Sequence, residues 1–142
     1  MALSKKRKPA RRKSARQEIS VPGLNPPISH YTDAVRFGNL LFLSGLAPLD
    51  AKGRLVGGSD PAKQTLKIFR NMKRILDAAG VGFGDVLKVT VYLTHIADRP
   101  KINPVRQAFF GKSRPASTLV EVSNLVIPGM RVEIEAVVGL PD

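Results

Sequence analysis

Apolar residues recur at every second position through Arg131-Val132-Glu133-Ile134-Glu135-Ala136-Val137-Val138. Val132, Ile134, Ala136 and Val138 fall on one strand face, Glu133 and Glu135 on the other. Arg114–Val122 also reads as a strand, rich in β-branched residues, and Pro128-Gly129 closes the turn between the two. A carboxylate within an apolar strand costs free energy unless it is paired or solvated, so Glu133 belongs to a wet face or to a site. Upstream, Leu40-Leu41-Phe42-Leu43 is apolar at every position, which predicts burial on both faces. It pairs with Asp33–Phe37 as a hairpin around Gly38-Asn39, and Ile19-Ser20-Val21 forms a short edge strand stopped by Pro22-Gly23. Val86–Leu93 is a further strand.

Two stretches carry helical spacing instead. Ser59-Asp60-Pro61 opens the first with a capping side chain and an early proline. Leu66, Phe69, Met72, Leu76 and Ala79 then recur on one side until Gly80. Asp98-Arg99-Pro100 repeats the capped start for a helix running to Phe110 and ending at Gly111. The order strand, strand, strand, helix, strand, helix, strand, strand is that of an α+β domain: one mixed sheet with two helices on one face. Two helices cover one side only, so the uncovered apolar face calls for a partner, and we expect a homo-oligomer.

Charge changes the picture at the N-terminus. Residues 1–18 hold eight basic side chains and one acid, so they contribute +7 of the net +12. That divides the chain into a basic arm, 1–18, expected to be disordered, and a single domain, 19–142. Residues 5–16 would attract polyanions non-specifically, because no aromatic residue interleaves the charges to stack on bases. There is no cysteine, which excludes disulfides and thiolate chemistry. No apolar run approaches a membrane span and no secretory pattern follows the basic start, so the expectation is a cytoplasmic protein without a membrane partner.

Candidate chemistry is sparse. His30 and His95 are the two histidines and neither has a carboxylate at ligand spacing, so no metal site is expected. Gly57-Gly58 lacks a phosphate-binding or dinucleotide pattern. The remaining polar candidates are Tyr31, Asn103, Ser117 and Glu133, whose proximity spacing alone does not establish.

A set of motifs in order resembles the Rid/YjgF family of reactive intermediate deaminases. These are His30-Tyr31-Thr32-Asp33-Ala34-Val35, Gly38 to Gly45, Gln64-Thr65, Ala78-Ala79-Gly80, Lys88 to Leu93, Asn103 ahead of Phe109-Phe110, Arg114-Pro115-Ala116, and Gly129 to Ala136. The resemblance runs from about Ile19 to Val138. It implies a chorismate-mutase-like fold, a homotrimer with ligand clefts between subunits, and no cofactor. Deaminating members hydrolyse 2-imino or 2-enamino acids to 2-keto acids and ammonia. The pocket positions carried over are Tyr31, Ser44, Gly45, Asn103 and Glu133, the glutamate positioning or activating water, with Leu119 and Leu46 setting the room available.

The family's carboxylate-gripping arginine stands two residues after the proline, where this chain has Ser117. A hydroxyl offers one neutral hydrogen bond where guanidinium offers two charge-assisted ones. The resemblance therefore implies a cleft for a carboxylate- or imine-bearing metabolite with altered ligand preference, unless Arg106 or Arg114 reaches it. Two alternatives are a non-catalytic ligand-binding or regulatory trimer and a nucleic-acid-associated protein acting through the arm.

Overall fold

The computed structural model describes residues 16–141. Six strands form one sheet in the order β1-β2-β3-β6-β4-β5. They are β1 (Arg16–Ile19), β2 (Ala34–Phe37), β3 (Leu40–Leu46), β4 (Val86–Leu93), β5 (Ala116–Glu121) and β6 (Val132–Gly139), with helices α1 (Pro61–Ala78) and α2 (Arg99–Phe110). All neighbours pair antiparallel except β4 and β5, which are parallel and joined through α2. The expected α+β domain with a mixed sheet and two helices is thus present.

Alternation decides the two faces. Leu41, Val91, Val132, Ile134 and Val138 are fully buried and pack with Ile68, Phe69, Met72 and Ile102 of the helices in one core. Phe69, Phe83, Phe109 and Phe110 form a ring cluster at the helix ends, with centroid separations of 5.2–6.0 Å. The other face carries Phe42, Lys88, Thr90, Tyr92, Glu133, Glu135 and Val137, and among the described residues no helix lies over it. Leu40–Leu43 is accordingly buried on one face only within a single chain. Leu41 and Leu43 lie under the helices, while Phe42 on the open face is 44% exposed.

Two local expectations are corrected. The edge strand is Arg16–Ile19, not Ile19–Val21, so the sheet begins within the segment assigned to the basic arm. Arg-Gln-Glu-Ile has no apolar alternation, and its strand form comes from backbone pairing with β2, Arg16 opposite Phe37 and Ile19 opposite Ala34. The arm's residues 1–15, and with them the polyanion expectation for 5–16, lie outside the described residues.

The second correction concerns Asp98. Asp60 caps α1 as expected, accepting from the Ala62 and Lys63 amides, but Asp98 makes no side-chain cap. Its buried carboxylate instead accepts at Oδ2 from both Arg131 Nη2 at 2.8 Å and Nε at 3.1 Å, and at Oδ1 from Lys101 Nζ at 3.4 Å. Arg131 and Lys101 thus take one carboxylate oxygen each, and neither oxygen caps the helix.

Gln64 of α1 is likewise fully buried and satisfied. Its Nε2 donates to the Gly58 and Gly129 carbonyls at 2.6 and 2.9 Å, and its Oε1 accepts from the Arg131 amide at 2.7 Å. Both helices therefore hold the residues that lead into β6, and with them the position of Glu133.

Candidate functional site

Glu133 is the second residue of β6 and projects from the open face, where its register partner on β4 is Tyr92. It forms part of the wall of a cavity of about 300 Å³, with Tyr31, Ser44, Gly45, Leu46, Asn71 and Val126 among the lining residues. The register of β3 on β6 shifts between Leu43 and Leu46, and the resulting bulge brings the Gly45 backbone against the carboxylate. A side-chain carbon at position 45 would stand 2.9 Å from Glu133 Oε2, so any larger residue there must displace the carboxylate. Ser44 donates from Oγ to the Thr32 carbonyl at 2.5 Å, and its amide donates to the Asp33 carbonyl at 3.0 Å, tying the bulge to the loop that carries Tyr31. The Tyr31 hydroxyl accepts from the Ile28 amide at 3.3 Å and remains accessible.

The Glu133 carboxylate has no hydrogen-bond or cationic partner among the described residues. Burial raises its pKa above the ordinary glutamate value, and the nearby Glu135 charge adds to the rise. Glu135 itself accepts from the Tyr92 hydroxyl at 2.6 Å, which raises the phenol's pKa in turn. One glutamate of the pair is satisfied and the other is left free beside a cavity.

Ser117 and Asn103 are elsewhere. Ser117 pairs with Val89 on β4, which pairs with Ala136 on β6, so Ser117 shares the helix-covered face with both. Glu133 lies three residues along from Ala136 and points the opposite way. Strand spacing and rise put the two Cα atoms roughly 14 Å apart on opposite faces. Ser117 Oγ accepts from Arg106 Nη2 of α2 at 2.8 Å. Arg106 borders a second, more open cleft of about 600 Å³, together with Asn103, Gln107 and Arg114. Leu119 packs against the core from β5 and lines neither cavity.

One chain thus brings together Tyr31, Ser44, Gly45, Leu46 and Glu133, and separately Ser117, Asn103 and Arg106. Asn71 and Val126 escaped the sequence reading. Asn71 carries a legible signal, a polar residue on the apolar side of α1, where its amide donates to the Leu49 carbonyl at 3.0 Å. Val126, 67% exposed, carries none. Among the described residues no group of three or more His, Cys, Asp or Glu could hold a metal ion, and no helix is long and apolar enough to cross a membrane.

Comparison with known proteins decides the lineage. Residues 23–139 match the family described as Endoribonuclease L-PSP. The chain belongs to this family, the Rid/YjgF/RutC family. A RutC family protein from Pyrococcus horikoshii is 46% identical over 78% of this chain and 87% of its own. The 3-aminoacrylate deaminase RutC of Acinetobacter baylyi is 37% identical, covering 85% and 96%. A 2-iminobutanoate/2-iminopropanoate deaminase from Dermatophagoides farinae is also 37% identical, over 88% and 97%. Among solved structures, the YjgF gene product of E. coli superposes with a TM-score of 0.79 at 31% identity, covering 87% of this chain and 98% of that one. Named members of this family are therefore imine and enamine deaminases.

Proposed function

We propose that this Rid-family chain hydrolyses a small 2-imino or 2-enamino acid to the 2-keto acid and ammonia, as a homotrimer with its sites between subunits. The observation that carries the reading is the Glu133 carboxylate, unpartnered among the described residues, partly desolvated and in contact with a cavity. A raised pKa suits a carboxylate that must take up a proton and return it near neutral pH. Water adds to the C2 carbon of the protonated imine while Glu133 accepts the water's proton. The resulting carbinolamine then collapses: Glu133 returns the proton to nitrogen, the C–N bond breaks as the hydroxyl oxygen forms the carbonyl, ammonia leaves, and the hydroxyl proton passes to Glu133 and on to solvent or ammonia. No cofactor is required for this balance.

The two faces support assembly. Phe42, Val120 and Val137 stand on the uncovered side, and a second copy there would bury apolar area. Ser117 and Glu133 of one chain are too far apart to share a small ligand, whereas residues from two chains meeting at a subunit boundary need not be. The word endoribonuclease in the family description suggests RNA cleavage. Against it, His30 and His95 do not line the Glu133 cavity, leaving a single carboxylate to do the acid and base work of strand cleavage.

The test is ammonia release from freshly generated 2-iminopropanoate and 3-aminoacrylate. The native protein should accelerate it, and Glu133→Gln should lower the rate by about 10²–10⁴-fold. Native-like turnover in that variant would remove Glu133 from the mechanism, and no acceleration by the native protein would remove the hydrolase reading.

A further inference from the structure

Arg106 is a half-buried guanidinium with no counter-charge beside it among the described residues. Its one hydrogen bond runs to a neutral hydroxyl, Ser117 Oγ at 2.8 Å, and no acid pairs with it among the described residues. Arg131, by contrast, meets the buried Asp98 carboxylate at 2.8 Å. Burial pulls the Arg106 pKa down, so the cation is desolvated without compensation. Arg106 also opens onto a cleft of about 600 Å³, where Asn103 offers an amide and Arg114 a second guanidinium. Such a cleft, with positive charge, an amide donor and no fixed anion, suits a carboxylate bound from solution.

We propose that Arg106, braced by Ser117, is the anchor for the substrate carboxylate and so the residue that sets specificity for acids. The hydroxyl takes one of the guanidinium's five N–H groups and orients its plane, leaving the others to meet a carboxylate. The guanidinium thus arrives from α2, above the strand, while the strand position itself keeps only a small side chain that makes room for it. Assignment of the anion as a 2-imino or 2-keto acid rests on the hydrolase reading above. The presence of an anion site does not.

Calorimetric titration tests the anchor without turnover. The probe is 2-oxobutanoate, the hydrolysis product of 2-iminobutanoate, set against its uncharged primary amide. The native protein and Glu133→Gln should both bind the acid and prefer it to the amide. Arg106→Leu should weaken the acid by about 30-fold or more and leave the amide unchanged, because a charge-assisted contact is lost. Arg106→Lys should fall between, since ammonium supplies a point charge without the fork. Ser117→Ala should weaken the acid only a few-fold, through lost orientation.

Equal binding of acid and amide by the native protein would overturn the proposal, independently of how any variant folds. So would an Arg106→Leu protein, native in its circular dichroism, that binds the acid undiminished, or a native protein that binds no acid. If the native protein binds the acid through Arg106 but never releases ammonia, the anchor stands and the hydrolase reading falls.

Discussion

Glu133 and Ile134 are neighbours on β6, yet the sheet separates them completely. Ile134 is fully buried among the helix side chains, while Glu133 lies beside an open cavity with no partner among the described residues. The helix-covered face is where the chain obtains its stability, through close-packed aliphatic and aromatic groups. The uncovered face holds the polar side chains that a packed core would reject. The period of two lets one strand serve both ends, and a substitution's effect should depend on face far more than on position along the strand.

The contrast can be broken most sharply at those two residues. Ile134→Ala should cost about 2–5 kcal/mol of stability, read as a fall in denaturant midpoint, through the cavity it leaves. Glu133→Gln should do the reverse. A carboxyl whose folded pKa is raised binds its proton more tightly folded than unfolded, so its contribution to stability is lost as pH rises through the folded value. The variant should therefore melt higher than the native protein at pH 7, and the gap should close as pH falls toward the ordinary glutamate range, about 4.3. A lower midpoint at pH 7 would mean that Glu133 supports the fold.

Mixing variants sharpens the comparison across subunits. Glu133→Ala and Arg106→Leu, each inactive alone, should recover about a quarter of native deaminase activity when unfolded and refolded together, if two copies complete one site. No recovery would place each site within one chain. A smaller effect is expected from Gly45→Ala, whose new methyl meets Glu133 Oε2 and must push it aside. A carboxylate moved by a fraction of an ångström should lower turnover about tenfold, with the melting midpoint nearly unchanged. Smallest is Tyr92→Phe, which removes the hydrogen bond to Glu135 and should cost about 1 kcal/mol or less.

Most of the sheet was legible because alternation is a local signal. Val86–Leu93 emerged with the expected bounds, and the buried set Val132, Ile134, Ala136 and Val138 could be named from spacing alone. Asp60 and Pro61 marked a helix start that the structure keeps. What failed depended on pairing at a distance. Arg16–Ile19 is a strand because β2 lies beside it, and Asp98 abandons its cap because Arg131 reaches it from across the fold. The site was legible in pieces. Tyr31, Ser44, Gly45 and Glu133 fall together, but nothing in their spacing told that Ser117 faces the other way, since face assignment needs the β4 register. The guanidinium beside Ser117 could be named as one of two arginines, and only the geometry of α2 selects Arg106.

The sheet order also bears on how the chain can be made. β6, the last of the six described strands in chain order, lies inside the sheet and is the strand that joins β1-β2-β3 to β4-β5. Until it arrives, β3 and β4 each present an unsatisfied edge, and α1 and α2 have no complete floor to pack on. Leu40 must wait for Gly139, and Leu41 for Val138. Such long-range closure delays folding until β6 has been synthesised, and it makes any product released before then a pair of half-sheets with open edges suited to aggregation. A chain built this way joins its stability and its chemistry in one final step, because the strand that closes the core is also the strand that carries Glu133.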